Sequence, residues 1–148
     1  MTVWRISNHP TLDGGGLRAP GRWHTRGQRV VYCTSNPATA LLEVLVHLEI
    51  DVEDIPVAFR YLEIDAPDSI SSETLDSAPL GPRWRTDLNA TRAAGDEWLR
   101  SGRSALLRVP SVIVPDTWNV LVNPRHNEAS QIRIVRIHDQ GIDARLMR

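Results

Sequence analysis

Seven of the twenty-one residues from Asn8 to Gln28 are glycine or proline: Pro10, Gly14, Gly15, Gly16, Pro20, Gly21 and Gly27. Neither a helix nor a strand tolerates that density of backbone breakers. The chain therefore commits some twenty early residues to loop, and an ordered loop that long is uncommon unless it does something. Whatever fold forms must hold this loop from outside, with the elements written into the flanking sequence.

Those elements are mostly strands. Thr2 to Ser7 alternates Val3 and Arg5 against Trp4 and Ile6, a period of two. Arg29 to Thr34 is rich in β-branched residues, and Pro56 to Ala66 places Val57, Phe59 and Tyr61 on one side and Arg60, Leu62 and Ile64 on the other. Further strands are expected over 105–109, 112–114, 118–122 and 131–138, punctuated by Pro110, Pro115 and Pro124. The clearest helix starts at Asn36 as N-cap with Pro37 at its first position. Its period of 3.6 puts Leu41, Leu45 and Leu48, extended by Leu42 and Val44, on a core face. A weaker helix, interrupted by Gly95, is expected over 86–100, and 67–85 reads as loop with one helical turn around Glu73 to Asp76. The expectation is a single α+β domain over residues 1–148, with a mixed or antiparallel sheet and flanking helices.

Composition closes off several function classes. With 148 residues the chain is long enough for one core without staples. Its lone cysteine, Cys33, supports neither an internal disulfide nor a zinc site of several thiolates. A reducing, cytoplasmic location is the expectation, with neither a membrane span nor a signal peptide. All seventeen basic residues are arginine, so lysine chemistry, Schiff bases and P-loop lysines are excluded. A net charge of −1 argues against a surface devoted to phosphate backbone.

Several residues carry candidate chemistry. Arg18 and Arg22 lie in the glycine-rich loop, which lacks the GxGxxG spacing. Each reads either as a pyrophosphate clamp or as an ordinary exposed arginine. Glu43, set among apolar neighbours, reads either as a working carboxylate or as the exposed partner of His47 four residues on. A metal reading of that pair lacks a third ligand. Ser111 stands between two prolines without a GxSxG elbow. Asn119, Asn123 and His126 fall at expected strand ends, where polar groups line clefts or cap turns. Tyr32, Trp4, Trp23 and Trp98 read as core residues able to stack on a flat ring.

The run GRWHTRGQRVVYCTSNPATALLEVLVHL, then GDEWL, then LLRVPSVIVPDTWNVLVNPRH, resembles the RES domain, the toxin half of bacterial RES-Xre toxin-antitoxin pairs. The likeness extends from Trp4 to about Arg136. The resemblance implies that Arg22, Glu43 and Ser111 are the residues that name the family, with Tyr32 between the first two. Where His24 follows Trp23, asparagine is frequent in the family. It further implies a fold similar to ADP-ribosyltransferases and an activity that consumes NAD by splitting the nicotinamide-ribose bond, as a glycohydrolase or as a phosphorylase with inorganic phosphate as co-substrate. No metal is expected. Glu43, Arg22 and Tyr32 would be the catalytic residues: Glu43 stabilises the ribosyl cation, Arg22 holds the pyrophosphate or a ribose-side oxygen, and Tyr32 stacks against nicotinamide or ribose; Ser111 beside the same ribose, with Asn119, Asn123 and His126, completes the expected substrate contacts. The implied partner is an Xre-type antitoxin with a helix-turn-helix, through which operator DNA is mainly contacted. Two other functions fit the same residues: a protein ADP-ribosyltransferase, and a non-catalytic nucleotide-binding module.

Overall fold

A computed structural model describes residues 1–13, 17–47 and 58–147. Seven strands form one sheet: β1 (Thr2–Ile6), β2 (Val31–Thr34), β3 (Ala58–Asp65), β4 (Ser72–Thr74), β5 (Leu106–Pro110), β6 (Trp118–Val122) and β7 (Arg133–Gly141). Among the described residues two α-helices accompany them, α1 (Pro37–His47) and α2 (Leu88–Ser101). The sheet runs β4-β5-β6-β2-β1-β3-β7. Every described pairing is antiparallel except β4 with β5, so the expected α+β class with a mixed sheet is what forms.

The pairing is uneven. β1 meets β3 at five register positions and β2 meets β6 at four, but β1 and β2 meet at one, Trp4 opposite Thr34. The sheet therefore has a seam between β1 and β2 that divides it into β4-β5-β6-β2 and β1-β3-β7. One face buries Val3, Leu62 and Ile64 from one half with Val31, Cys33, Leu106, Val120 and Val122 from the other, in a single cluster across the seam. The opposite face of the β5-β6-β2 half carries Leu107, Val109 and Leu121 against Trp23, Trp84 and Trp98. α2 supplies Trp98 to this second cluster.

Both helix starts follow from capping. Asn36 Oδ1 accepts from the Thr39 amide at 2.9 Å and from its hydroxyl at 3.1 Å, as the sequence leads one to expect. Asp87 Oδ1 accepts from the Ala90 amide at 3.0 Å and starts α2 two residues later than expected. Gly102 ends it in the left-handed conformation, φ 62°. Within α1 the expected core face is only partly right: Ala40 is buried and Leu41, Val44 and Leu45 are half-buried, but Leu42 points outward. Leu48, Pro56 and Val57 lie outside the described residues.

Three expectations are corrected. The turn expected at Glu73 to Asp76 is replaced by β4, whose flanks bond β5 through Leu106 N–H to Ser71 O and Leu75 N–H to Arg108 O; a short 3₁₀ turn forms later, at Ala78–Leu80. The strand expected at 112–114 is a turn, because Ser111 Oγ accepts the amides of Ile113 and Val114 that a ladder would need. Gln131 belongs to a 3₁₀ turn, Asn127–Gln131, and β7 begins only at Arg133.

Candidate active site

The glycine-rich loop is fixed at residues 21 to 25, between β2 and α2. From β2, Tyr32 Oη reaches into the turn. His24 Nε2 lies 3.0 Å from the Ala19 carbonyl oxygen, which can only accept, so Nε2 carries the proton. His24 Nδ1 then accepts from the Tyr32 hydroxyl at 2.7 Å and from the Gly21 amide at 3.2 Å, while Tyr32 Oη accepts from the Trp23 amide at 3.1 Å. A Cβ on Gly21 would lie 2.5 Å from Tyr32 Oη. The glycine is therefore demanded by space. Burial holds the Tyr32 phenol well above its ordinary value, although the Trp23 amide and the Arg92 and Arg22 cations oppose the shift. Tyr32 is thus a neutral donor.

From α2, three side chains and a glycine on one stripe meet the same turn. Arg92 Nε donates to Gly21 O at 2.8 Å and Thr91 Oγ1 to Arg22 O at 2.7 Å. Asp96 accepts from the Thr25 amide at 3.0 Å and from its hydroxyl at 2.6 Å. At Gly95 a Cβ would stand 1.6 Å from Trp23 O, so the helix touches the loop backbone there. The glycine that weakens this helix on propensity is what lets it dock.

Arg22 is half-buried, and its Nη1 donates to Arg85 O at 2.8 Å. Arg18 is exposed. Neither forms an ion pair among the described residues. Arg5, which the strand pattern of β1 hides, stands at the seam: its Nη1 donates to Tyr32 O at 3.2 Å, the carbonyl that the parting of β1 from β2 leaves available. Arg5 Nε is buried without a hydrogen-bond partner, and among the described residues no carboxylate pairs with Arg5. A half-buried guanidinium in that state is expensive. The signal in the sequence is weak, a single arginine on one face of an otherwise apolar strand. Below it Cys33 is fully buried, its thiol pushed up to about 12 by desolvation despite the Arg5 cation.

Glu43, half-buried on α1, accepts from Asn119 Nδ2 at 2.9 Å. Asn119 Oδ1 is itself buried without a partner. Register places Asn119 opposite Thr34 on β2 and Val109 on β5. Ser111, buried just beyond β5, donates its amide to Thr117 O at 2.8 Å, so Glu43, Asn119 and Ser111 gather at one end of β2-β6-β5. Tyr32 opposes Leu121 and shares the Asn119 face, one diagonal step along. The Ser111 oxygen holds the 113–114 turn as an acceptor. The side chain of His47 lies outside what is described, and with it the proposed pairing with Glu43.

Asn123 and His126 are not part of this group. Asn123 sits at the far end of β6, four residues or about 13 Å from Asn119. It donates to Leu99 O at 3.2 Å and accepts from the Arg125 amide at 3.1 Å. His126 Nδ1 accepts from the Glu128 amide at 3.1 Å and caps the following 3₁₀ turn. Both line a separate hollow of about 750 Å³ with Arg29, Arg100 and Arg125. Among the described residues no group of three or more His, Cys, Asp or Glu is placed to hold a metal, and no helix is long and apolar enough to cross a membrane.

Residues 2–145 match the model of the RES domain. The chain is 46% identical over 147 residues, 99% of each chain, to a protein named Toxin Res from Pseudomonas putida. It is 34% identical over 158 residues, 99% of this chain and 97% of the other, to a protein named Prs ADP-ribosylating toxin from Sphingobium sp.. A protein named Toxin Res from Photorhabdus laumondii is 37% identical over 156 residues, 100% of this chain and 98% of that one.

Proposed function

The chain belongs to the RES domain family, and on that premise we propose that it is the toxin of a toxin-antitoxin pair and cleaves NAD at the nicotinamide-ribose bond. The observation that carries the reading is the company Tyr32 keeps. One guanidinium without a carboxylate partner among the described residues, Arg5, bonds its carbonyl; a second, Arg22, directly precedes Trp23, whose amide bonds its phenol oxygen. Along the face that carries the Tyr32 ring, opposite to the Val3 face of β1 from which Arg5 projects, lies a carboxylate, Glu43, fixed by Asn119. Cations for a pyrophosphate and an anion for a ribosyl cation complement a dinucleotide whose leaving group is positively charged.

In the reaction the bond between the ribose anomeric carbon and the pyridinium nitrogen breaks, and its electron pair leaves with neutral nicotinamide. The anomeric carbon becomes oxocarbenium-like. Glu43, oriented by Asn119, accepts a hydrogen bond from a ribose hydroxyl and offsets the developing charge. Arg22 and Arg5 hold the pyrophosphate, and Ser111 donates near the ribose. Water then adds to the anomeric carbon and releases a proton; with inorganic phosphate as acceptor the product is a sugar phosphate instead. The seam between β1 and β2 supports a likeness to ADP-ribosyltransferases, since it divides the sheet beside these residues. The partner is an Xre-type antitoxin that covers the site in the cytoplasm and carries the operator contacts, in keeping with the net charge of −1.

The name of the Sphingobium relative favours a second reading, transfer of ADP-ribose to a protein. Proton NMR of the purified chain with NAD, in buffers with and without phosphate, separates these. Free nicotinamide is expected, and dependence on phosphate identifies the acceptor. No release from the purified chain alone, with nicotinamide freed in step with a modified protein detected by mass spectrometry once a protein acceptor is supplied, would overturn hydrolysis and phosphorolysis in favour of transfer.

A further inference from the structure

We propose that Thr91 and Asp96, on the inner stripe of α2, are positioning residues for Arg22. This rests on the reading of Arg22 as the pyrophosphate ligand. Neither side chain reaches for the substrate; both act on the backbone that presents Arg22. Thr91 Oγ1 bonds the Arg22 carbonyl itself at 2.7 Å. Asp96 binds Thr25 through both carboxylate oxygens, at 3.0 and 2.6 Å.

Asp96 is the telling case, because it is buried and makes no ion pair among the described residues. A desolvated carboxylate that spends both oxygens on one loop residue is costly unless those bonds matter. Residues 91, 92, 95 and 96 fall on one helical stripe, and they meet Arg22, Gly21, Trp23 and Thr25 in turn. With Tyr32 and His24 on the other side, the turn is held between α2 and β2. Such a turn presents its arginine at one place, and a displacement on the order of 1 Å is enough to weaken a bound geometry.

The test uses the isosteric Thr91→Val, which removes only the hydroxyl, with Thr91→Ser restoring it and Asp96→Asn as a second probe. Steady-state nicotinamide release is measured together with amide hydrogen exchange at Trp23 and Thr25. Thr91→Val is expected to raise KM for NAD about tenfold with kcat within about threefold, the signature of lost uniform binding. Thr91→Ser is expected to return KM to the wild-type value. The Trp23 and Thr25 amides should exchange faster in Thr91→Val and in Asp96→Asn. A folded Thr91→Val with unchanged KM overturns the proposal, as does a fall in kcat alone or a failure of Thr91→Ser to restore KM. If the unaltered chain releases no nicotinamide, the reading of the site fails and this inference with it; the exchange data then still show whether α2 holds the turn.

Discussion

Glu43 on α1 and Asn119 at the start of β6 are joined by one hydrogen bond, Nδ2 to Oε1 at 2.9 Å. The amide presents its donor to the carboxylate and so holds it in one orientation. Its own carbonyl oxygen is left buried without a partner. Replacing Glu43 by Ala is expected to cost on the order of 3 kcal/mol of transition-state stabilisation, a loss of about 100-fold or more in kcat, with the fold retained. Asn119→Asp places a second carboxylate against the first and should lower kcat while leaving KM nearly unchanged. Both follow from initial rates of nicotinamide release, and near-normal turnover in Glu43→Ala would remove Glu43 from the mechanism.

Arg5→Met is expected to separate binding from folding. The exchange removes a guanidinium whose Nε has no partner, so the unfolding free energy should fall by no more than about 1 kcal/mol. NAD affinity should fall at least tenfold, the scale of about 1.5 kcal/mol for a hydrogen bond to a charged group. Urea unfolding and calorimetric titration measure the two quantities; unchanged affinity would place Arg5 outside the site.

Burial raises the phenols of Tyr32 and Tyr61 in the folded chain. In the unfolded chain a tyrosine ionises at about 10. The stabilisation is therefore whole below that value, and it declines as the pH rises past it, because the unfolded state gives up protons that the folded state keeps. The Tyr32 part of the tyrosinate absorbance is expected to appear together with loss of the near-ultraviolet dichroism. Reversible ionisation of both tyrosines near pH 10 in a folded protein would contradict it.

Gly95→Ala is expected to destabilise by more than about 3 kcal/mol, since overpacking against a backbone carbonyl has no rotamer to escape into. The Cβ would stand 1.6 Å from Trp23 O. On propensity alone the same change should stabilise a helix by up to about 1 kcal/mol. The sign of the change in Tm decides between the two.

His126→Ala should lower stability by about 1 kcal/mol through loss of a cap and leave KM for NAD unaltered. A raised KM would return His126 to the substrate site.

What was legible in the sequence is local. Asn36 and Pro37 announce α1, and Leu62 and Ile64 announce a buried strand, because capping and alternation are short-range. Ser111 was visible as a polar residue between prolines, but its use in accepting two backbone amides depends on the 111–117 turn closing. β4 escaped because a three-residue parallel strand has no pattern of its own and exists only beside β5. Arg5 escaped for a similar reason: its position at a seam is a property of register between strands. Gly95 weakens α2 on propensity and yet is required in the fold, since the carbonyl it accommodates belongs to Trp23, far away in sequence.

The single register pair between Trp4 and Thr34 has a mechanical consequence. Two plates that share one pin transmit little torque through it, so their relative angle is governed by the packing beneath and by whatever lies across the join. A dinucleotide touching Arg5 on one plate and Glu43 or Arg22 beside the other would act as a strut. Its occupancy would stiffen the whole sheet, and the molecule's resistance to thermal distortion would then vary with the NAD concentration around it.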